Sequence, residues 1–132
     1  FWEQVYDATG KPAFITEYGC PAYAKGKAKE EAEEAQSEYL LGNWEDVDYN
    51  LAGCSEGIGN ALGAVLFEWL DEWWKAYEPC LHDTKGLFNG PFPDGFMHEE
   101  WLGVISQGDG KSSPFLRQLR KGYYSYQKIW RE

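Results

Sequence analysis

With 132 residues and 43% apolar composition, the chain has material for one packed core and too much hydrophobicity for a disordered polymer. A formal net charge of −10 argues against nucleic acid as a partner, because phosphate binding needs a basic surface. Three widely spaced cysteines (Cys20, Cys54, Cys80) and two histidines (His82, His98) argue against a disulfide framework and against zinc, and no cofactor or metal motif is present.

Residues 1–10 read as the end of a helix: Phe1, Trp2 and Val5 share a face, and Gly10 with Pro12 stops it. The start at Phe1-Trp2-Glu3 falls mid-pattern, with no basic leader or apolar signal core, so the chain reads as a segment of a longer polypeptide whose localisation is left open. Segment 12–19 is an apolar, non-alternating run closed by Glu17, Tyr18 and Gly19. That pattern predicts a parallel strand buried on both sides that carries Glu17 to the rim of a sheet. Residues 27–52 predict crossover helices, with Ala28, Ala32, Ala35, Tyr39 and Leu40 as one stripe and an interruption at Gly42.

Glycines 53, 57 and 59 lead into a second strand over 61–69, which again ends in acids and tryptophans. Helix, strand, helix, strand is the alternation of an α/β fold with a parallel sheet. Residues 76–111, rich in glycine and proline, predict a long loop with a small helical turn or short strand near 99–105. The last element, 113–130, predicts a helix capped by Ser112 or Ser113, with Leu116, Leu119, Tyr123, Tyr126 and Trp130 along its sealing face. No stretch is long and apolar enough to span a membrane.

Glu17 is the first candidate for chemistry, since a strand end holds a carboxylate rigidly where a reacting atom can sit. The plain alternative is a rim glutamate paired with a lysine. Glu68, Asp71 and Glu72, interleaved with Trp69, Trp73 and Trp74, form a second group. Here Trp69 could stack on a ring, Asp71 and Glu72 could bond hydroxyls, and Trp73 and Trp74 serve packing or binding equally well. Aromatic residues make up 17% of the chain, and several stand beside acids and glycines. The basic blocks at 25–29 and 117–121 read as solvated helix faces. Gly53 to Gly59 precedes a strand instead of following one, and no phosphate loop or nucleophile elbow occurs.

The stretches 12–19, 27–52 and 61–75 together resemble the seventh and eighth strand units of a retaining glycoside-hydrolase barrel, near the family 2 glycosidases and related cellulase-like or β-glucanosyltransferase-like barrels. The resemblance rests on Ile15-Thr16-Glu17-Tyr18-Gly19 and on Phe67-Glu68-Trp69-Leu70-Asp71-Glu72. It implies an α/β fold that is the C-terminal portion of a TIM (β/α)8 barrel, with a long insertion after the last strand. A whole barrel needs about 250 residues. It implies Glu17 as nucleophile, Tyr18, Trp69, Asp71, Glu72 and Trp73 as substrate-binding residues, and a β-linked oligosaccharide or polysaccharide plus the remainder of the barrel as partners. The acid/base carboxylate, about 5–5.5 Å from the nucleophile in such enzymes, is missing, so the segment alone is expected to be inactive. The other classes are a transglycosylase, a non-catalytic carbohydrate-binding or barrel fragment, and a structural α/β domain whose aromatic residues serve an interface.

Overall fold

The computed structural model describes residues 1–54, 56–76, 92–106 and 117–131. Helix α1 (Trp2–Thr9) leads into strand β1 (Ala13–Tyr18), helix α2 (Lys29–Tyr49) and strand β2 (Ala61–Leu66). Two 3-10 turns (Trp73–Ala76 and His98–Trp101), strands β3 (Ile105–Ser106) and β4 (Gln118–Leu119) and helix α3 (Lys121–Ile129) complete the described chain.

β1 and β2 pair in parallel, with Ala13 opposite Ala61, Ile15 opposite Ala64 and Tyr18 opposite Leu66. β3 and β4 form a separate antiparallel pair. The barrel expectation is therefore corrected: the described residues form an α/β arrangement of three helices and two small two-stranded sheets. An all-parallel closed barrel has no place for the antiparallel β3–β4 pair. The resemblance to the seventh and eighth units of a glycoside-hydrolase barrel falls with it. The burial of β1 on both faces is also corrected. Phe14 (49% exposed), Leu62 (57%) and Val65 (46%) face solvent, whereas Ala13, Ile15 and Ala64 pack against Trp2, Val47 and Ala61.

α1 is tied down by its first tryptophan. The Trp2 indole donates to Asp46 Oδ2 (2.6 Å), and Trp2 O accepts from the Asn60 amide (3.0 Å). α2 is one continuous helix through Gly42, whose cost of about 1 kcal/mol relative to alanine is outweighed by burial of Leu40 and Val47 on either side. Its inward face is Ala32, Gln36, Ser37, Leu40 and Val47, so Ala35 and Tyr39 of the expected stripe point outward. The Glu31 carboxylate accepts from the Ala28 N–H (3.1 Å) at its start, where acids also suit the helix dipole.

The main core gathers Leu40, Val104, Ile105 and Tyr126, with Tyr18, Trp44, Leu66 and Leu70 around them. α3 lies on α2, where the Ser37 and Ser125 hydroxyls meet at 2.8 Å. α3 begins later than the serine and proline signals suggest, because residues before it are held extended. Gln118 and Leu119 pair with β3, and Arg120 keeps a strand-like backbone (φ −89, ψ 168) while its side chain turns inward. Residues 113–116 of the expected helix lie outside the described residues.

That inward turn corrects a second expectation. Arg120, read as part of a solvated basic face, is 3% exposed and grips Asp71, itself fully buried, through two bonds of 2.5 and 2.7 Å. Arg120 also donates to Gly103 O (2.5 Å), and the Gly103 N–H donates to Asp71 Oδ1 (3.0 Å). The backbones of Leu70 and Asp71 lie so close to Gly103 that a side chain has no room there. No helix among the described residues is long and apolar enough to cross a membrane. Cys20 and Cys54 are free thiols, and Cys80 lies outside the described residues.

Candidate functional site

The C-terminal ends of β1 and β2 open into a cleft of about 590 Å³. This is where open parallel sheets place their ligands. Backbone contacts build its base. Phe67 N–H donates to Tyr18 O (2.8 Å), and Gly19 is required next to it because the Phe67 carbonyl occupies the space of a side chain. The Phe67–Glu68 peptide is cis. Beyond it the chain runs alongside 102–105: Glu68 N–H donates to Leu102 O (3.3 Å), Val104 N–H to Glu68 O (2.9 Å) and Ile105 N–H to Trp69 O (3.0 Å). This ladder brings the 98–101 turn, distant in sequence, to the rim.

Three carboxylates line the cleft: Glu17 from β1, Glu72 from the segment after β2, and Glu99 from the 98–101 turn. Among the described residues one cation, Lys75, stands with them, 3.0 Å from Glu99 and 3.4 Å from Glu72. The hydrogen bond and charge of Glu99, with the charge of Glu72, raise the Lys75 pKa, so it stays an ammonium. Glu17 is exposed and has no ion-pair partner among the described residues. Tyr18, Phe67 and Phe92 supply the apolar wall.

Glu68 stands beside this group. Its Oε1 is buried without a hydrogen-bond partner among the described residues. Desolvation, and then the charges of Glu72, Asp71 and Glu99, lift its pKa from the ordinary value near 4.5 to about 8, with Lys75 opposing. At neutral pH its carboxyl is mostly protonated. The folded state then holds a proton that the unfolded chain releases near 4.5, so this group makes stability fall as pH rises from about 4.5 to about 8. In urea titrations at pH 5, 6, 7 and 8, Glu68→Gln should flatten that decline. An unchanged slope in the variant would assign the pH dependence to other groups.

Of the residues singled out from sequence, Glu17, Tyr18 and Glu72 come together in the cleft. Trp69, Asp71 and Trp73 do not line it. Asp71 is committed to Arg120, Trp73 is fully buried, and Trp69 is 63% exposed with its ring edge-on to Tyr123 at 5.8 Å. His98 is buried beside Tyr23, Phe92 and Phe96, with Nε2 on Asp94 at 2.8 Å, and serves packing. His82 lies outside the described residues. Lys75 and Glu99 were not singled out as site residues. Glu99 carries no pattern of its own, because only the 68–71 and 102–105 ladder places it at the cleft.

Among the described residues no three His, Cys, Asp or Glu side chains are grouped to hold a metal ion. Compared with protein-family models, curated proteins and solved structures, the chain matches none. The retaining-glycosidase expectation is corrected, together with its transglycosylase and carbohydrate-binding alternatives, because the described residues form two separate two-stranded sheets, one of them antiparallel, and not the barrel that the expectation rests on. The expected partners, a β-linked saccharide and the remainder of a barrel, lose their basis with it.

Proposed function

We propose that the cleft binds a small organic cation: a primary amine carrying an aromatic or apolar group. The observation that carries this reading is the imbalance of charge in one concavity. Among the described residues, Glu17, Glu72 and Glu99 face a single lysine that Glu72 and Glu99 already share, which leaves Glu17 to receive a cation. Tyr18, Phe67 and Phe92 give the apolar portion a surface to leave water against. The volume of about 590 Å³ falls among small-molecule sites. An anion would meet both the local carboxylates and the net charge of −10. In this reading Glu17 binds the ammonium, Tyr18 borders the ring, and Glu99 and Glu72 hold Lys75 aside.

Phenethylamine tests the reading, with 2-phenylethanol as the uncharged counterpart and phenylacetate as the anion. The amine should bind with a Kd on the order of 1 mM, as expected for so small a ligand, and the other two should bind at least fivefold more weakly. Because the Glu17 carboxylate is exposed, it contributes about 0.2–1 kcal/mol, so Glu17→Gln should weaken the amine by up to about fivefold. Raising the salt should weaken it further. Equal affinity for amine and alcohol in calorimetric titrations would refute the assignment.

A further inference from the structure

A separate cavity of about 390 Å³ lies between Trp69 and one face of α3. Tyr123, Tyr126, Gln127 and Trp130 follow the spacing i, i+3, i+4 and i+7, so α3 presents them as one stripe. Leu66 and the buried Val104 complete the lining. The stripe meets Trp69 edge-on at Tyr123 (5.8 Å) and buries Tyr126 in the core, and the cavity lies along the rest of it. Trp69 and Trp130 are 63% and 58% exposed, a large aromatic area left in water.

The walls are held in place. Trp130 is tilted on Tyr126 at 4.6 Å and meets Trp44 edge-on at 5.7 Å. The Tyr126 hydroxyl donates to Leu40 O (3.0 Å) and accepts from Tyr18 (2.6 Å), so its proton is already committed. The cavity therefore offers ring surfaces and the Gln127 amide. No Asp, Glu, Lys or Arg lines it among the described residues, although 26% of the chain is charged. An anion would lose hydration there, gain no counter-charge and oppose the net charge of −10, and a cation would find ring faces but no carboxylate among the described lining residues to replace its hydration.

We propose that this cavity binds a planar, uncharged aromatic small molecule between the indoles of Trp69 and Trp130, with the Gln127 amide as its polar contact. Offset and edge-on ring contacts favour a flat aromatic guest over an aliphatic one. Its uncharged ligand separates it from the acidic cleft, which takes a cation.

The probe is N-phenyl-1-naphthylamine, uncharged at neutral pH and emissive in apolar surroundings. Its sulfonated relative, 1-anilinonaphthalene-8-sulfonate, serves as the anionic arm. Saturable one-to-one binding is expected, at least about tenfold weaker for the sulfonate. Trp69→Ala removes one wall, and Gln127→Trp fills the mouth while adding apolar area; each should weaken the probe by about tenfold, and Glu17→Gln should leave it unchanged. Trp69 is exposed and Gln127 half-buried, so neither change enters the core. Should Trp69→Ala unfold, Gln127→Trp decides alone. Non-saturable binding, equal affinity for the sulfonate, or folded variants that bind like the parent would overturn the proposal.

Discussion

Arg120→Met should lower the unfolding free energy by about 3–5 kcal/mol, the typical cost of stranding one member of a buried ion pair. Asp71 is fully enclosed, and Arg120 makes two charged contacts with it. Without the guanidinium, the carboxylate loses its buried counter-charge and must stay charged at greater cost or take up a proton on folding. The same change removes a donor from Gly103 O, although Gln36 still reaches that oxygen at 3.1 Å. Joining Asp71→Leu to Arg120→Met removes the stranded charge and should recover part of the loss. It should not recover all of it, because the Gly103 N–H is then buried without its acceptor, a cost of about 1–3 kcal/mol. Urea denaturation of both variants measures the difference. A loss under about 1 kcal/mol for Arg120→Met would show that the pair does not hold the α3 start to the 68–71 segment.

Leu40→Ala should cost about 2–5 kcal/mol, the range for deleting a large core side chain where the surroundings collapse only partly. Leu40 has no exposure and sits where α2, α3 and Val104 meet. Gly122 approaches closely from α3: a Cβ there would stand 3.3 Å from a Leu40 methyl carbon. Collapse is limited because the neighbouring Tyr126 is held by hydrogen bonds to Leu40 O and Tyr18. Tyr39→Ala, one residue earlier and half exposed, should change stability by less than about 0.5 kcal/mol. Comparable losses from the two substitutions in thermal or urea melts would mean that this face of α2 is not the one buried.

The contrast between Leu40 and Tyr39 marks what could be read from the sequence. Apolar runs bounded by glycine and proline are local signals, and β1 and β2 fall within them, whereas α2 falls on a run of helix-forming residues. Which residues of α2 face inward was not local: Gln36 and Ser37 are buried because their side chains reach Cys20 O, Gly103 O and Ser125. β3 and β4 are two residues each, too short to carry a period. The burial of Arg120 had no sequence signal, since its partner Asp71 stands among acids that otherwise look solvated.

The barrel expectation failed for a related reason. A strand ending in Glu17-Tyr18-Gly19 is compatible with any parallel pair, and strand number is a property of tertiary packing. For the site, the placement of Glu17 at a strand end followed from the apolar run before it. Its neighbour Glu99 was invisible, because the backbone bonds that bring it near join segments far apart in the chain.

Amide chemical shifts of the isotopically labelled protein, followed as phenethylamine is added, test the cation-binding reading most directly. The cleft predicts saturable changes concentrated at Glu17, Tyr18, Gly19, Lys75, Glu99 and Leu102, with Tyr123, Gln127 and Trp130 still, and much smaller changes with 2-phenylethanol. Changes centred on α3, changes spread evenly over the acidic surface, or an equal response to the alcohol would contradict it.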